Sequence, residues 1–414
     1  MKEVFVLLSG LFVLAMWREL LKFRCVQQCV SMTGPVKRLL QWYSILFIIL
    51  TLLMLQNMYE AVKNNYIHLH FLDPVLIEEA QTEKNFSPAL MEILSIPKWL
   101  RYIVLASPVV GSFAFLCILA HLISNVLSAK RKFKKSVVNH GEGGGYVALD
   151  GSPVKKKPAW QPTKRHDMVL LVIAMPAVFI VMAIRSTQRM LMIMRASDIG
   201  FDARVDAALY HENLQLAAVC QYYIVFVFSQ LCMTFIKKEE SSEEIQWAMK
   251  FAGFQGVYAW VICGTLRCIF DFTLQFLGAH AELFGVKAVE TVTQSAGIVQ
   301  EKVATVFSIL TLLCVYNMAI ICKMKYIKDN LGNASLKFMG TRLLLILSQI
   351  QLEIILKIGD AKKYLTFLPD ISEPQALLLH SSLLTMECLL VVLYNWYAWE
   401  RDVGSDLYTH LLDE

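Results

Sequence analysis

The chain is 414 residues long, 56% hydrophobic and only 18% charged, with a formal net charge of +5. Ordinary soluble domains carry roughly 25% charged residues, so the composition argues against two or three soluble domains and for one helical bundle in a bilayer. The ten cysteines are scattered without a CxxC pair; they read as small buried hydrophobes rather than a disulfide framework or metal ligands. The modest net charge gives no sign of a nucleic-acid partner.

Apolar stretches recur along the chain, and a helix needs about 20 apolar residues to cross a bilayer. The first, residues 4–17, is short but extends to Leu21. A signal peptide has an apolar region of this length. However, Lys2 is followed at once by Glu3, and Trp17-Arg18-Glu19 is a poor cleavage site, so an uncleaved helix is expected. Eight further spans are predicted at residues 42–58, 102–126, 168–184, 214–236, 251–277, 303–322, 338–356 and 376–399.

The loops between these runs alternate in charge. Arg18, Lys22, Arg24, Lys37 and Arg38 follow the first run; Lys130, Arg131, Lys132, Lys134 and Lys135, then Lys155, Lys156, Lys157, Lys164 and Arg165, follow the third. Lys237 and Lys238 follow the fifth, and Lys323, Lys325, Lys328 and Lys337 the seventh. The other loops are acidic or poor in base: Asp73, Glu78, Glu79, Glu83 and Glu92; Asp198, Asp202, Asp206 and Glu212, diluted by Arg189, Arg195 and Arg204; Glu282, Glu290 and Glu301; Asp360, Asp370 and Glu373. Basic loops stay cytosolic. The expectation is nine helices, an N-terminus outside or in a lumen, and a cytosolic C-terminus.

Residues 1–60 are thus read as two N-terminal spans with a basic cytosolic loop, 61–100 as an acidic outer loop, 101–400 as the main bundle and 401–414 as a cytosolic tail. Within the bundle, the loop 128–166 has a middle too polar to order itself. Its Gly141-Glu142-Gly143-Gly144-Gly145 has neither the preceding strand nor the following Gly-Lys-Ser/Thr of a phosphate loop. Its basic flanks determine topology, and they also suit anionic headgroups.

Several polar residues fall inside the apolar runs, where an ionisable group usually meets a partner or a wet cavity. Glu387 has apolar neighbours on both sides. Arg267 and Asp271, at i and i+4, share one helix face and can pair. Arg185 and Arg189 share a face near the outer end of the fourth span, suited equally to an anionic substrate group or lipid phosphate. Gln349, Gln351 and Glu353 alternate along the eighth and cannot all share a face. Arg342 is expected to snorkel to cytosolic headgroups. His121 and His380 are read as interfacial. The sequon Asn85-Phe86-Ser87 is weakened by Pro88, and Asn333-Ala334-Ser335 is expected to be cytosolic and silent. No HExxH, GxSxG or other catalytic arrangement emerges, so neither an enzyme nor a cofactor is expected.

Residues 100–400 also carry a set of short motifs. Lys337-Phe338, then Arg342, then Gln351 run through the eighth span. Met386-Glu387 and Tyr397-Ala398-Trp399 lie in the ninth, Met175-Pro176-Ala177 in the fourth, and Tyr210-His211-Glu212-Asn213 with Tyr222-Tyr223 in the fifth. In order and placement they resemble the organic solute transporter alpha-subunit and transmembrane protein 184 family. Arg342 stands where that family usually has Lys, Trp399 replaces an aromatic Phe, and the alpha subunits' Cys-rich cytosolic stretch is missing; Cys25 and Cys29 are the nearest equivalent.

The resemblance implies a seven-helix core preceded here by two extra spans. It implies transport of an amphipathic organic solute or lipid-like anion along a path lined by Glu387, Gln351, Arg267, Asp271, Arg185 and Arg189. The implied partners are the bilayer, the solute, and a single-span beta-type subunit or further copies of the chain. The competing class is a receptor-like or trafficking scaffold without transport. After the third core helix it shows Lys237-Lys238-Glu239-Glu240 rather than a receptor triplet.

Overall fold

A computed structural model describes residues 42–62, 96–141, 164–196, 203–236, 254–279, 286–361 and 372–400. The expected first span, the acidic loop from 63 to 95, the centre of the basic loop, Lys237, Lys238, both N-terminal cysteines, Asn85 and the C-terminal tail lie outside them. All regular structure among the described residues is helical. The helices are α1 (Trp42–Ala61), α2 (Lys98–Gly141), α3 (Lys164–Ala196), α4 (Ala203–Ile236) and α5 (Phe254–Ala279). They continue with α6 (Val286–Lys323), α7 (Lys325–Leu331), α8 (Ala334–Ala361) and α9 (Glu373–Glu400).

Every predicted span from the second to the ninth therefore coincides with a helix. Six of them, in α2, α3, α4, α5, α6 and α9, are long and apolar enough to cross a membrane. This is compatible with an integral, multi-pass membrane protein.

The chain divides into two compact units, Met1–Tyr59 and Glu60–Glu414. Nearly all of α1 lies in the first. It exposes Ile48, Leu52, Leu55 and Tyr59, spaced as one helical stripe.

In the second unit α3 is the central helix. It packs against α4, α9 and α2, and more lightly against α8. Residues 169–184 are buried without a break, which is why this stretch is apolar all round rather than on one face. Where α2 passes α3 and α9, Gly111 lets them close in: a Cβ there would stand 2.7 Å from Thr385 Cγ2 and 2.8 Å from Ile184 Cδ1. Small residues at such crossings let helix backbones approach in membranes.

Outside this centre, α5 packs on α4 and α6 and turns Ile262, Leu266 and Ile269 outward, while α6 exposes Ile309, Leu312, Val315 and Tyr316. Such faces suit hydrocarbon, where an exposed Leu loses nothing.

Two details show the sequence acting locally. Pro108 has no N–H to give the carbonyl of Val104; Ser107 Oγ donates to that carbonyl instead, at 3.0 Å. Gly332, between α7 and α8, has φ 62° and ψ −123°, a region closed to side chains.

The expected loop boundary at 128 is corrected. α2 runs through the basic residues to Gly141 and is 44 residues long, about 66 Å at 1.5 Å per residue. A hydrocarbon core is about 30 Å thick, so a helix of this length overshoots it. Lys and Arg are good helix formers, and no Pro or Gly interrupts residues 130–140.

Candidate functional site

The second unit buries polar side chains at three levels. The first lies where α2 and α9 begin and α3 ends, over an apolar cluster of Ile96, Leu100, Val104, Met190, Leu191 and Leu378. Tyr210, buried at the start of α4, places its hydroxyl 3.0 Å from the Leu377 carbonyl and 2.9 Å from His380 Nδ1. His380 Nε2 lies 2.9 Å from the Ser348 carbonyl in α8. A carbonyl only accepts, so the neutral ring carries its proton on Nε2 and Nδ1 accepts from Tyr210, whose single hydroxyl hydrogen is shared between Nδ1 and the Leu377 carbonyl. Beside it, Thr187 Oγ1 donates to Ser381 Oγ at 2.9 Å, and Ser186 Oγ donates to the Tyr210 carbonyl at 3.2 Å. One network thus ties α3, α4, α8 and α9. The interfacial reading of His380 is corrected: it is a buried cross-link, and only helix packing, invisible in a linear pattern, brings Tyr210 to it. His121 is likewise buried, stacked on Trp396 with ring centroids 5.0 Å apart.

Arg185 belongs to this end of the bundle. It is buried in α3, and among the described residues its Nη1 meets no hydrogen-bond partner. Arg189, one turn on, is half-buried.

The second level is the meeting of α8 and α9. Gln351 Nε2 donates to Glu387 Oε1 at 2.9 Å. Both side chains are partly buried, and among the described residues Gln351 Oε1 and Glu387 Oε2 meet no hydrogen-bond partner. These two residues come from separate motifs and are 36 positions apart. The side chains of Gln349 and Glu353 lie outside the described residues.

The third level surrounds the start of α8. Lys337 is buried; its Nζ donates to the Leu331 carbonyl at 2.6 Å, closing the end of α7, and sits 4.5 Å from the centroid of the Trp399 ring. Phe338 packs beside Phe228 with centroids 6.0 Å apart. Both are structural anchors in this geometry. Arg342 does not snorkel. It is 2% exposed, and its guanidinium lies 4.8 Å from the Trp260 ring centroid and 5.9 Å from that of Phe338. Eight residues into α8, it has turned to aromatic rings in the bundle instead of a helix end.

Arg267 Nε lies 3.8 Å from Asp271 Oδ2, as the i, i+4 spacing predicts. The pair is peripheral, with side chains 31% and 14% exposed, and the Arg267 guanidinium also sits 5.4 Å from the Phe307 ring centroid. Asp271→Ala is expected to lower the folded yield more than Asp271→Ala combined with Arg267→Leu, because the single change leaves a charge without its partner. Additive losses on detergent-extracted protein, measured by size exclusion, would show that the two act independently.

The path residues of the sequence reading are thus split. Glu387 and Gln351 meet, Arg267 and Asp271 pair on the periphery, and Arg185 and Arg189 lie at the end of the bundle where α3 terminates. Among the described residues no group of His, Cys, Asp and Glu is arranged to hold a metal ion. In comparison with known proteins, no family model, no curated protein and no solved structure matches the chain.

Proposed function

We propose that the chain is a non-enzymatic membrane transporter of an amphipathic organic solute or lipid-like anion, with a seven-helix core preceded by two further spans. The observation that carries the reading is the Gln351–Glu387 hydrogen bond. Two residues singled out by separate motifs become one polar site between apolar helices, with an oxygen of each left to meet a solute or a proton. An ionisable group kept inside a span marks a functional path more often than not. The resemblance of residues 100–400 to the solute-transporter family supplies the substrate class.

The test is uptake of a labelled amphipathic anion into proteoliposomes containing the purified chain, with and without a single-span partner. Failure of both retires transport and leaves the scaffold reading.

The orientation proposed with it places the C-terminus in the cytosol and residues near Glu83 outside. A tag after Glu414 is expected to resist protease added to intact cells, and one beside Glu83 to be cleaved. Tags found on the same side would overturn this arrangement.

A further inference from the structure

Four groups lie in a row between α8, α5 and α6. The Arg342 guanidinium stands 4.8 Å from the centroid of the Trp260 ring. Trp260 and Phe307 are stacked, 6.1 Å apart and 16° from parallel. Arg267 stands 5.4 Å from the Phe307 centroid. Tyr222 closes one side, with its ring edge-on to both Trp260 and Phe307. A Cβ at Gly264 would stand 2.7 Å from Tyr222 Cζ and 3.0 Å from Phe307 Cε2, so α5 has a glycine where these rings meet it. Thr311 Oγ1 accepts from Trp260 Nε1 at 2.9 Å and fixes the indole.

The row holds two guanidinium groups, and one carboxylate lies beside it. Asp271 pairs with Arg267. Among the described residues Arg342 has no ion pair, and its buried Nε and Nη1 have no hydrogen-bond partner. Arginine does not deprotonate in proteins. Ring faces attract the cation but offer no lone pair to in-plane N–H groups. Among the described residues the cluster is one acceptor anion short, and the side chains around Arg342 are aromatic.

We infer that Arg342 is the charge-reading residue of a binding site for an anionic headgroup on an apolar tail, with the headgroup on Arg342 and the tail against Trp260, Phe307 and Tyr222. The inference rests on the bundle lying in a membrane and not on its moving anything, since binding needs no flux. Free amphiphiles such as a fatty carboxylate and bilayer lipids with anionic heads share this chemistry.

The test uses the full chain in lipid nanodiscs and quenching of tryptophan fluorescence by bromine-tipped probes. In one arm a bromine-tipped undecanoate is added to zwitterionic phosphatidylcholine discs. In the other, tail-brominated phosphatidylglycerol replaces part of the disc lipid. Arg342→Met is expected to weaken the quenching affinity by about tenfold or more, the loss of one charge-assisted contact, while the matching bromine-tipped alcohol binds wild type and variant alike. Loss in the first arm identifies a free amphiphile as the occupant, and loss only in the second a lipid headgroup. Unchanged quenching in both overturns the site.

Trp260→Phe, with Arg342 intact, keeps the inference falsifiable if Arg342→Met does not fold. It is expected to remove the site's share of the quenching, and quenching equal to wild type would place the anion elsewhere and overturn the assignment. Binding without uptake retires transport and leaves this site standing. Uptake without Arg342-dependent binding does the reverse.

Discussion

Glu387→Gln is expected to abolish solute uptake into proteoliposomes while leaving yield and thermal midpoint near those of wild type. The hydrogen bond at this position runs from Gln351 Nε2 to Glu387 Oε1 at 2.9 Å. A glutamine at 387 still presents an Oε1 to accept it, so the link between α8 and α9 survives. What disappears is the ability to ionise, and with it any proton carried by, or charge presented from, Oε2, which meets no hydrogen-bond partner among the described residues. Glu387→Ala differs: it strips Gln351 of its acceptor at a partly buried contact, and leaving a donor unsatisfied destabilises by about 1–3 kcal/mol. Uptake that persists in Glu387→Gln at every pH would show that the carboxyl only fastens two helices. Uptake lost together with folding would point the same way. Only lost uptake in a well-folded protein assigns the ionisable group to function.

The positions of the helices were legible in the sequence because an apolar run of about 20 residues has few other uses. Less legible was where helices stop. The basic run after residue 129 reads as a loop by charge, yet lysine and arginine leave backbone hydrogen bonding intact, and α2 continues to Gly141. The pairing of Arg267 with Asp271 was legible because its geometry is local to one helix. Gln351 and Glu387 were each legible as intramembrane polar residues, but their meeting was not, since it depends on which faces of α8 and α9 pack together. Arg342 was misread for the same reason. Its depth in α8 permits snorkelling, and only the rings of Trp260 and Phe338, 82 and 4 positions away in sequence, show that it turns inward. The His380-Ser381 pair inside an apolar span was a usable signal of a buried network, because consecutive polar residues at that depth usually have partners.

Tyr210→Phe is expected to lower stability by about 1–3 kcal/mol, the scale for a buried polar group left without its partner. Tyr210 is wholly buried, and its ring occupies the same space without the hydroxyl, so the change leaves packing almost untouched. The damage falls on His380. Its Nε2–H remains committed to the Ser348 carbonyl, while Nδ1 loses the hydroxyl that faces it. Leu377 loses less, because its carbonyl also receives a bond from Ser381 Oγ. The double change Tyr210→Phe with His380→Phe removes both ends of the contact, and replacing both partners by apolar groups of similar shape is close to neutral. The expected order of thermal midpoints in neutral detergent is therefore wild type, then the double variant, then Tyr210→Phe. A double variant that falls below the single one would mean that His380 holds α9 to α8 through Ser348 more than α4 to α9 through Tyr210. The network would then have to be redrawn around that second bond.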